Sequence, residues 1–463
     1  MKTLTRIAMW ALVCGLCSAS FAQDKAQDRR RWIDPNATTT DDPRRTPAPP
    51  RPRGPEGTLV LRGGRIFDGA GGAARNATLV ITRNKIEKIL PPDATDWPRE
   101  ARVIDVAGKT ILPGLIDLHS HLTYGEPGTD IEEIVLEADA ALRGAERLRY
   151  YIESGITSVR DTASHGHAPF RLKQWVAQNR LAGPRVFPAG ALITGTSGHA
   201  AEGHGPTSTL WGAIRVAKGP DDFREAVREQ FDRGADVIKL ASHFSREEVK
   251  AAVEEAHALG LKVTADAETF YIQWAVEAGV DCIEHPLPRT DETIRLMAQR
   301  GVAAVPTLIP YIYVFDLRGG YYGSTSRRFT FTKEDNLEMI RRMKRAGIKM
   351  GIGTDLVDNW FRFLPHPYIT ELKLFVQAGF TISEALQAAT RTGAEILDMD
   401  DKLGTIAPGK LADVLVVRGQ PDNNLDDLAN VDLVIRDGHI VVQGGQVVTP
   451  RHTPQSPPPP FKK

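Results

Sequence analysis

Cysteine is scarce in this 463-residue chain: there are only 3, too few for a scaffold stapled by disulfides. Net charge is missing too, because 58 Lys+Arg are matched by 58 Asp+Glu, without the basic excess of a nucleic-acid binder. The composition lacks the long apolar stretches of a multispanning membrane protein. With 41% hydrophobic and 25% charged residues it also lacks the bias of disordered or collagen-like chains. What is there is chain enough for one large domain and a smaller one, each able to bury a core.

The two ends stand apart from the middle. Lys2 and Arg6 open a short apolar stretch, Ile7 to Leu16, too short to span a bilayer. Ser20-Phe21-Ala22 then sets small residues before a cleavage point at Gln23. The pattern predicts a signal peptide over residues 1–22, cleaved after Ala22, and hence a periplasmic or secreted protein that leaves no membrane anchor behind. An uncleaved anchor is the alternative. A lipoprotein site does not fit, since neither Cys14 nor Cys17 has the small-residue surroundings it needs. Cleavage removes both and leaves Cys282 as the single thiol. Residues 23–56, crowded with Pro and Arg, and residues 451–463, with Pro457 to Pro460, offer too little apolar surface to pack and read as disordered tails.

Between the tails, β-branched runs alternate with amphipathic stretches. Strands are expected at 115–122, 156–161, 185–193, 236–241, 262–267, 281–286, 302–307 and 349–355, with helices at 222–233, 246–259, 290–300 and 334–346. Ser245-x-x-Glu248 has the capping-box form ahead of Val249, Val253 and Ala256. This is the pattern of an α/β fold, a parallel (β/α)8 TIM barrel over residues 113–403; an open doubly wound sheet is the runner-up. Residues 57–112 and 404–450 instead hold short alternating strands with Gly turns. They flank the barrel in sequence and are expected to pair into one composite β-sandwich.

Active sites of parallel barrels are built at the C-terminal ends of the strands. The first strand ends Asp117-Leu118-His119-Ser120-His121, and residues two apart on a strand face the same way. The fourth carries Lys239 inside an apolar run, where an unpartnered ammonium is expensive. The sixth ends Glu284-His285 and the eighth Gly353-Thr354-Asp355. Packing alone explains any one of these residues, but not five at four strand ends. Together they form a metal-hydrolase constellation.

The chain here resembles the metal-dependent amidohydrolase superfamily, in particular its imidazolonepropionase-like and Xaa-Pro-dipeptidase-like members, from about residue 57 to 448. The resemblance rests on residues 111–121 (ILPGLIDLHSH), 278–285 (AGVDCIEH), 384–390 and 404–413 (GTIAPGKLAD). It implies a divalent metal site of one or two ions, zinc or alternatively manganese. His119, His121 and Asp355 would hold the more buried ion. Lys239, carboxylated to a carbamate, would bridge to a second ion held by His285. A metal-activated hydroxide would attack an amide or ester carbonyl, with Asp355 moving the proton to the leaving nitrogen. The family's fifth strand usually ends in His, but Asp266 stands there. Three readings stay open: Asp266 is itself a ligand, the second site is weakened, or the site binds without turnover.

Specificity belongs to the loops. Thr194 to His199 follows the third strand, and the resemblance makes His199 a contact to substrate or to the transition-state oxygen. Arg289 could pair with a substrate carboxylate. Tyr311, Tyr313, Tyr321, Tyr322 and Phe331, with Trp360, Phe361 and Phe363, could form an apolar pocket or a lid hinged at Gly319-Gly320. His204 follows His199 in the loop after the third strand, and His165 and His167 read as solvated loop residues. The expected partner is a small-molecule or dipeptide-like substrate, with a homo-oligomer allowed. The expected reaction is cleavage of an amide, imide, Xaa-Pro or acyl-amino-acid bond, against a lactone or ester hydrolase or a non-catalytic binding protein.

Overall fold

Most of the β-branched runs become short parallel strands whose residues are almost all buried. A computed structural model describes residues 54–125, 136–201, 212–267, 269–285, 290–318 and 332–448. The signal segment, residues 23–53 of the leader, the tail 451–463, His204, Arg289, Gly319-Gly320, Tyr321, Tyr322 and Phe331 lie outside the described residues. Among the described residues, no helix is long and apolar enough to cross a membrane.

Leu115–Ser120 pairs in parallel with Ile156–Asp161, and that strand with Arg185–Pro188. Leu192–Thr194, Val237–Ala241, Lys262–Asp266, Cys282–Glu284 and Ala303–Val305 follow in the same parallel sense. The result is a mixed α/β, TIM-barrel-like arrangement. The third strand differs from its expected single run. It breaks at Gly190, whose φ of +79° only glycine adopts freely and where a Cβ would meet the Gln230 Oε1 at 2.4 Å. A further short strand, Ile214–Val216, pairs with Leu192–Thr194 and was not legible in advance.

The eighth expected strand is a correction. Residues 349–355 are not regular strand, yet they are bonded on both sides. Ala304 N donates to Lys349 O (2.9 Å) and Gly351 N to Ala304 O (3.1 Å). Leu118 N donates to Ile352 O (2.9 Å) and Asp355 N to His119 O (2.8 Å). The squeeze is tight: a Cβ on Gly353 would meet Val305 Cγ1 at 2.5 Å and His119 Cβ at 2.9 Å. The segment therefore carries Asp355 against the first strand.

Helices fill the connections at Gly219–Arg233, Arg246–Ala258, Asp291–Arg300 and Lys333–Arg345, close to expectation. The Ser245/Glu248 capping box is formed in both directions, and Val249, Val253 and Ala256 turn into the core. The two flanking segments do meet: Lys109–Pro113 pairs antiparallel with Val414–Arg418 inside one seven-stranded sheet. A separate apolar core joins Leu59, Leu61 and Leu79 from before the parallel strands to Val414, Val416 and Leu433 from after them.

Candidate active site

His119 and His121 project from the end of the first strand as the two-residue spacing demands, and both are buried. Asp117, one turn of the pleat below, fixes that end. It accepts from His119 N (3.1 Å), Thr354 N (3.0 Å) and Thr354 Oγ1 (2.5 Å), tying the first strand to the segment that bears Asp355. Burial raises the Asp117 pKa to about 7. Asp355 Oδ1 lies 3.1 Å from His121 Nε2 and 3.5 Å from His119 Nε2.

The outer nitrogens decide what the inner ones offer. His119 Nδ1 faces Glu284 Oε2 at 2.7 Å and His121 Nδ1 faces the Ala163 carbonyl at 3.2 Å. Both partners are acceptors only, which assigns the ring proton to Nδ1. His285 Nδ1 lies 2.7 Å from Thr307 Oγ1, whose own proton goes to the Pro306 carbonyl, so the same tautomer follows. Each ring in its neutral form then turns an unprotonated Nε2 inward. Burial, reinforced by Lys239, lowers the His119 pKa to about 4, and burial lowers that of His285 to about 3, so both are neutral at physiological pH.

Glu284 anchors this layer. Its carboxylate takes His119 Nδ1 on one oxygen and Arg160 Nη2 on the other at 2.5 Å, with the Thr264 hydroxyl in close contact. Burial pushes the Glu284 pKa up, but Arg160 and His119 outweigh it and hold the carboxyl well below the usual range. Asp355 is likewise held low, the three surrounding imidazoles outweighing its desolvation.

Asp266 ends the fifth strand on the same face as Glu284, its register partner, and two residues beyond Thr264, which pairs with Lys239. Its Oδ2 lies 3.4 Å from His285 Nε2 and 3.3 Å from His199 Nε2. Lys239 is buried beside Asp266, Glu284 and Asp355, yet desolvation lowers its pKa despite these carboxylates. Three non-glycine residues at successive strand ends, His285 (φ +56°), Thr307 (+52°) and Asp355 (+49°), sit in the left-handed region, a strained backbone typical of functional sites.

The donor set fits a divalent cation. Donors of His119, His285 and Asp355 all lie within 4.8 Å of one another, and His119 Nε2 is a buried atom without a hydrogen-bond partner. Inward lone pairs facing carboxylates repel unless a cation lies among them. Neutral imidazole and carboxylate are the forms that bind metal, and a fixed outer nitrogen is the usual support for a ligating histidine.

Of the remaining expected residues, Tyr311 is buried at 5% exposure, in the main core on the helix Ile309–Arg318. Tyr313 does meet Trp360 and Phe363 edge-on (5.3 and 6.1 Å), although Trp360 and Phe361 are buried. His167 is exposed as expected. His165 is not: it is buried, with Nδ1 2.9 Å from Thr123 Oγ1, because it packs under Tyr124, which in turn stacks on His121 at 4.2 Å. Sequence reasoning missed Glu284, Arg160, Asp117 and Tyr124. A signal existed for the first two, each a charge inside an apolar strand, as Lys239 is.

Known proteins resemble this chain in sequence and fold. Residues 110–441 match the Amidohydrolase family. The chain is 27% identical over 407 residues to ochratoxinase of Aspergillus niger, covering 80% of this chain and 82% of that one. It is 26% identical over 391 residues to imidazolonepropionase of a Geobacillus species, covering 75% and 84%. A crystal structure of a prolidase complexed with N-methylphosphonate-L-proline superposes with a TM-score of 0.76 at 30% identity, over 84% of this chain and 100% of the other. With a family match over residues 110–441 that takes in every strand end described above, the chain belongs to the amidohydrolase family and is a hydrolase of carbon–nitrogen bonds.

Proposed function

We propose that this protein is an exported, metal-dependent hydrolase of small acyl-amino-acid or Xaa-Pro substrates. Its catalytic unit is a closed (β/α)8 barrel over residues 113–403, and residues 57–112 and 404–450 form one composite β-sandwich. The observation that carries the reading is the set of inward Nε2 lone pairs of His119, His121 and His285 facing Asp355 and Asp266. The prolidase relative, solved with a proline phosphonate, and the imidazolonepropionase relative support an amide-type substrate of this size.

His119, His121, Asp355, Asp266, His285 and a carbamate on Lys239 are the ligands in this reading. Zinc suits a donor set rich in imidazole, with manganese the alternative where carboxylates weigh more. Bound there, such a cation supplies Lewis acidity, which lowers the pKa of water toward neutrality and polarises a carbonyl. The chain's own residues do the rest. Burial keeps the Lys239 amine toward its neutral form, which adds to carbon dioxide and loses a proton to become an anionic carbamate. Asp355, ionised at all working pH values, accepts the proton of the attacking water and returns it to the leaving nitrogen. Glu284 and Thr307 hold the imidazoles in the tautomer that binds.

The test is a hydrolysis screen of N-acyl amino acids, Xaa-Pro dipeptides, cyclic imides and lactones on zinc- or manganese-loaded protein. Amide turnover that a chelator abolishes and metal restores is expected. Turnover of lactones alone, or turnover indifferent to chelation, overturns the reading. Export is tested separately, by finding Gln23 as the first residue of the mature protein in the periplasmic or secreted fraction.

A further inference from the structure

Each of the two carboxylates at the barrel mouth has a pair of imidazoles. Asp355 Oδ1 has His121 Nε2 at 3.1 Å and His119 Nε2 at 3.5 Å. Asp266 Oδ2 has His199 Nε2 at 3.3 Å and His285 Nε2 at 3.4 Å. Two ligand atoms on a tetrahedral ion, at bonds of about 2.0–2.1 Å, stand roughly 3.3–3.4 Å apart. Each His–carboxylate separation around Asp266 is therefore that of two neighbouring donors on an ion, as is each one around Asp355, while the three donors that all lie within 4.8 Å of one another are those of His119, His285 and Asp355.

The loop that brings His199 in is built for close approach. Thr194 Oγ1 donates to Ser242 O at 2.8 Å, and Gly198 N to Gly195 O at 3.1 Å. A Cβ on Gly195 would meet His243 O at 1.6 Å, and one on Gly198 would meet Ser242 O at 2.3 Å. Only glycine lets this loop lie flat against the end of the fourth strand. His199 follows directly, and its side chain keeps 22% exposure while Asp266 keeps 2%.

We propose that His199 is a metal ligand, completing with Asp266 and His285 a second two-histidine, one-carboxylate set beside that of His119, His121 and Asp355. In this assignment the imidazole absent from the fifth strand is supplied by the loop after the third, and His199 acts on the ion rather than on substrate. The inference rests on the metal-hydrolase reading above and goes beyond it.

The test is metal stoichiometry and zinc affinity of the full mature chain, dialysed with zinc and bicarbonate, for wild type, His199→Ala, His199→Asn and the double variant His199→Ala/Asp266→His. Near-unchanged circular dichroism identifies folded variants, and cobalt loading gives a spectrum for each. The expected result is two ions in wild type and one in both His199 variants. Affinity for the weaker ion should fall at least about tenfold, one cobalt band should be lost, and the second ion should return in the double variant. Two ions with unchanged cobalt spectra in the His199 variants, alongside a raised KM, overturn the ligand assignment and leave the hydrolase reading standing. A single ion in wild type also overturns it. Wild type that binds no metal overturns both.

Discussion

Glu284 holds His119 through one oxygen, 2.7 Å from Nδ1, and Arg160 through the other, 2.5 Å from Nη2. Both oxygens accept from donors, so an amide cannot satisfy both: one end of Gln would point a donor at a donor. Glu284→Gln should weaken zinc binding by about 10–100-fold, with activity recovering in excess zinc. Glu284→Ala should in addition cost about 3–5 kcal/mol of stability, because Arg160 is left buried without its carboxylate. Competitive zinc titration and denaturant unfolding check the two claims, and unchanged zinc affinity in the Gln variant would refute the first.

Lys239 is the second test of the mechanism. It is buried on the strand face that also carries Asp266 once its register with Thr264 is followed, and burial lowers its pKa. Lys239→Ala should lose most of the hydrolytic activity. Metal-stripped wild type should regain activity faster with bicarbonate present, whereas the variant should be insensitive to it. Undiminished hydrolysis by Lys239→Ala excludes the carbamate.

The residues that could be read in advance were those whose signal is local. His119 and His121 announce themselves by their spacing, and Lys239 by its place in an apolar run. The Ser245 cap does so by the Glu three residues later. Residues that act through partners distant in sequence stayed hidden. Glu284 and Arg160 are 124 positions apart; each marks a charge in an apolar strand, but nothing local pairs the two. The reach of His199 to Asp266 depends on a loop laid flat by two glycines, which no periodicity reports. The eighth strand was placed correctly but given too much regularity. Gly351 and Gly353 are there because the first strand leaves no room for side chains, and an apolar-run argument reads such glycines only as interruptions.

Gly353→Ala turns that crowding into a measurement. The new methyl would stand 2.9 Å from His119 Cβ and 3.1 Å from His119 N, atoms that cannot rotate away. The substitution should cost about 1–3 kcal/mol, typical of overpacking. Because the displaced residue is His119, metal content and activity should fall by more than the stability loss explains. Thermal unfolding together with metal analysis of the folded variant checks this. Full metal occupancy with wild-type activity would show that His119 tolerates the shift.

Glu371 makes a pH-dependent contribution away from the ligands. Its carboxyl accepts Leu308 N and Ile309 N at 2.9 and 3.1 Å, at the start of the helix Ile309–Arg318, and burial raises its pKa to about 8. Its ordinary value is 4.5. Between those values the folded protein keeps a proton that the unfolded chain has lost, so this group's contribution to stability declines as pH rises from about 4.5 to about 8 and is constant beyond. Each unit of separation is worth about 1.4 kcal/mol. In Glu371→Gln a carbonyl oxygen still accepts both backbone N–H groups, but there is no proton to lose. The unfolding free energy of the variant relative to wild type should therefore climb steadily from pH 5 to pH 8. Denaturant titrations across that range measure it, and two curves that stay parallel would mean that Glu371 is ionised in the folded protein and acts as a charged helix cap.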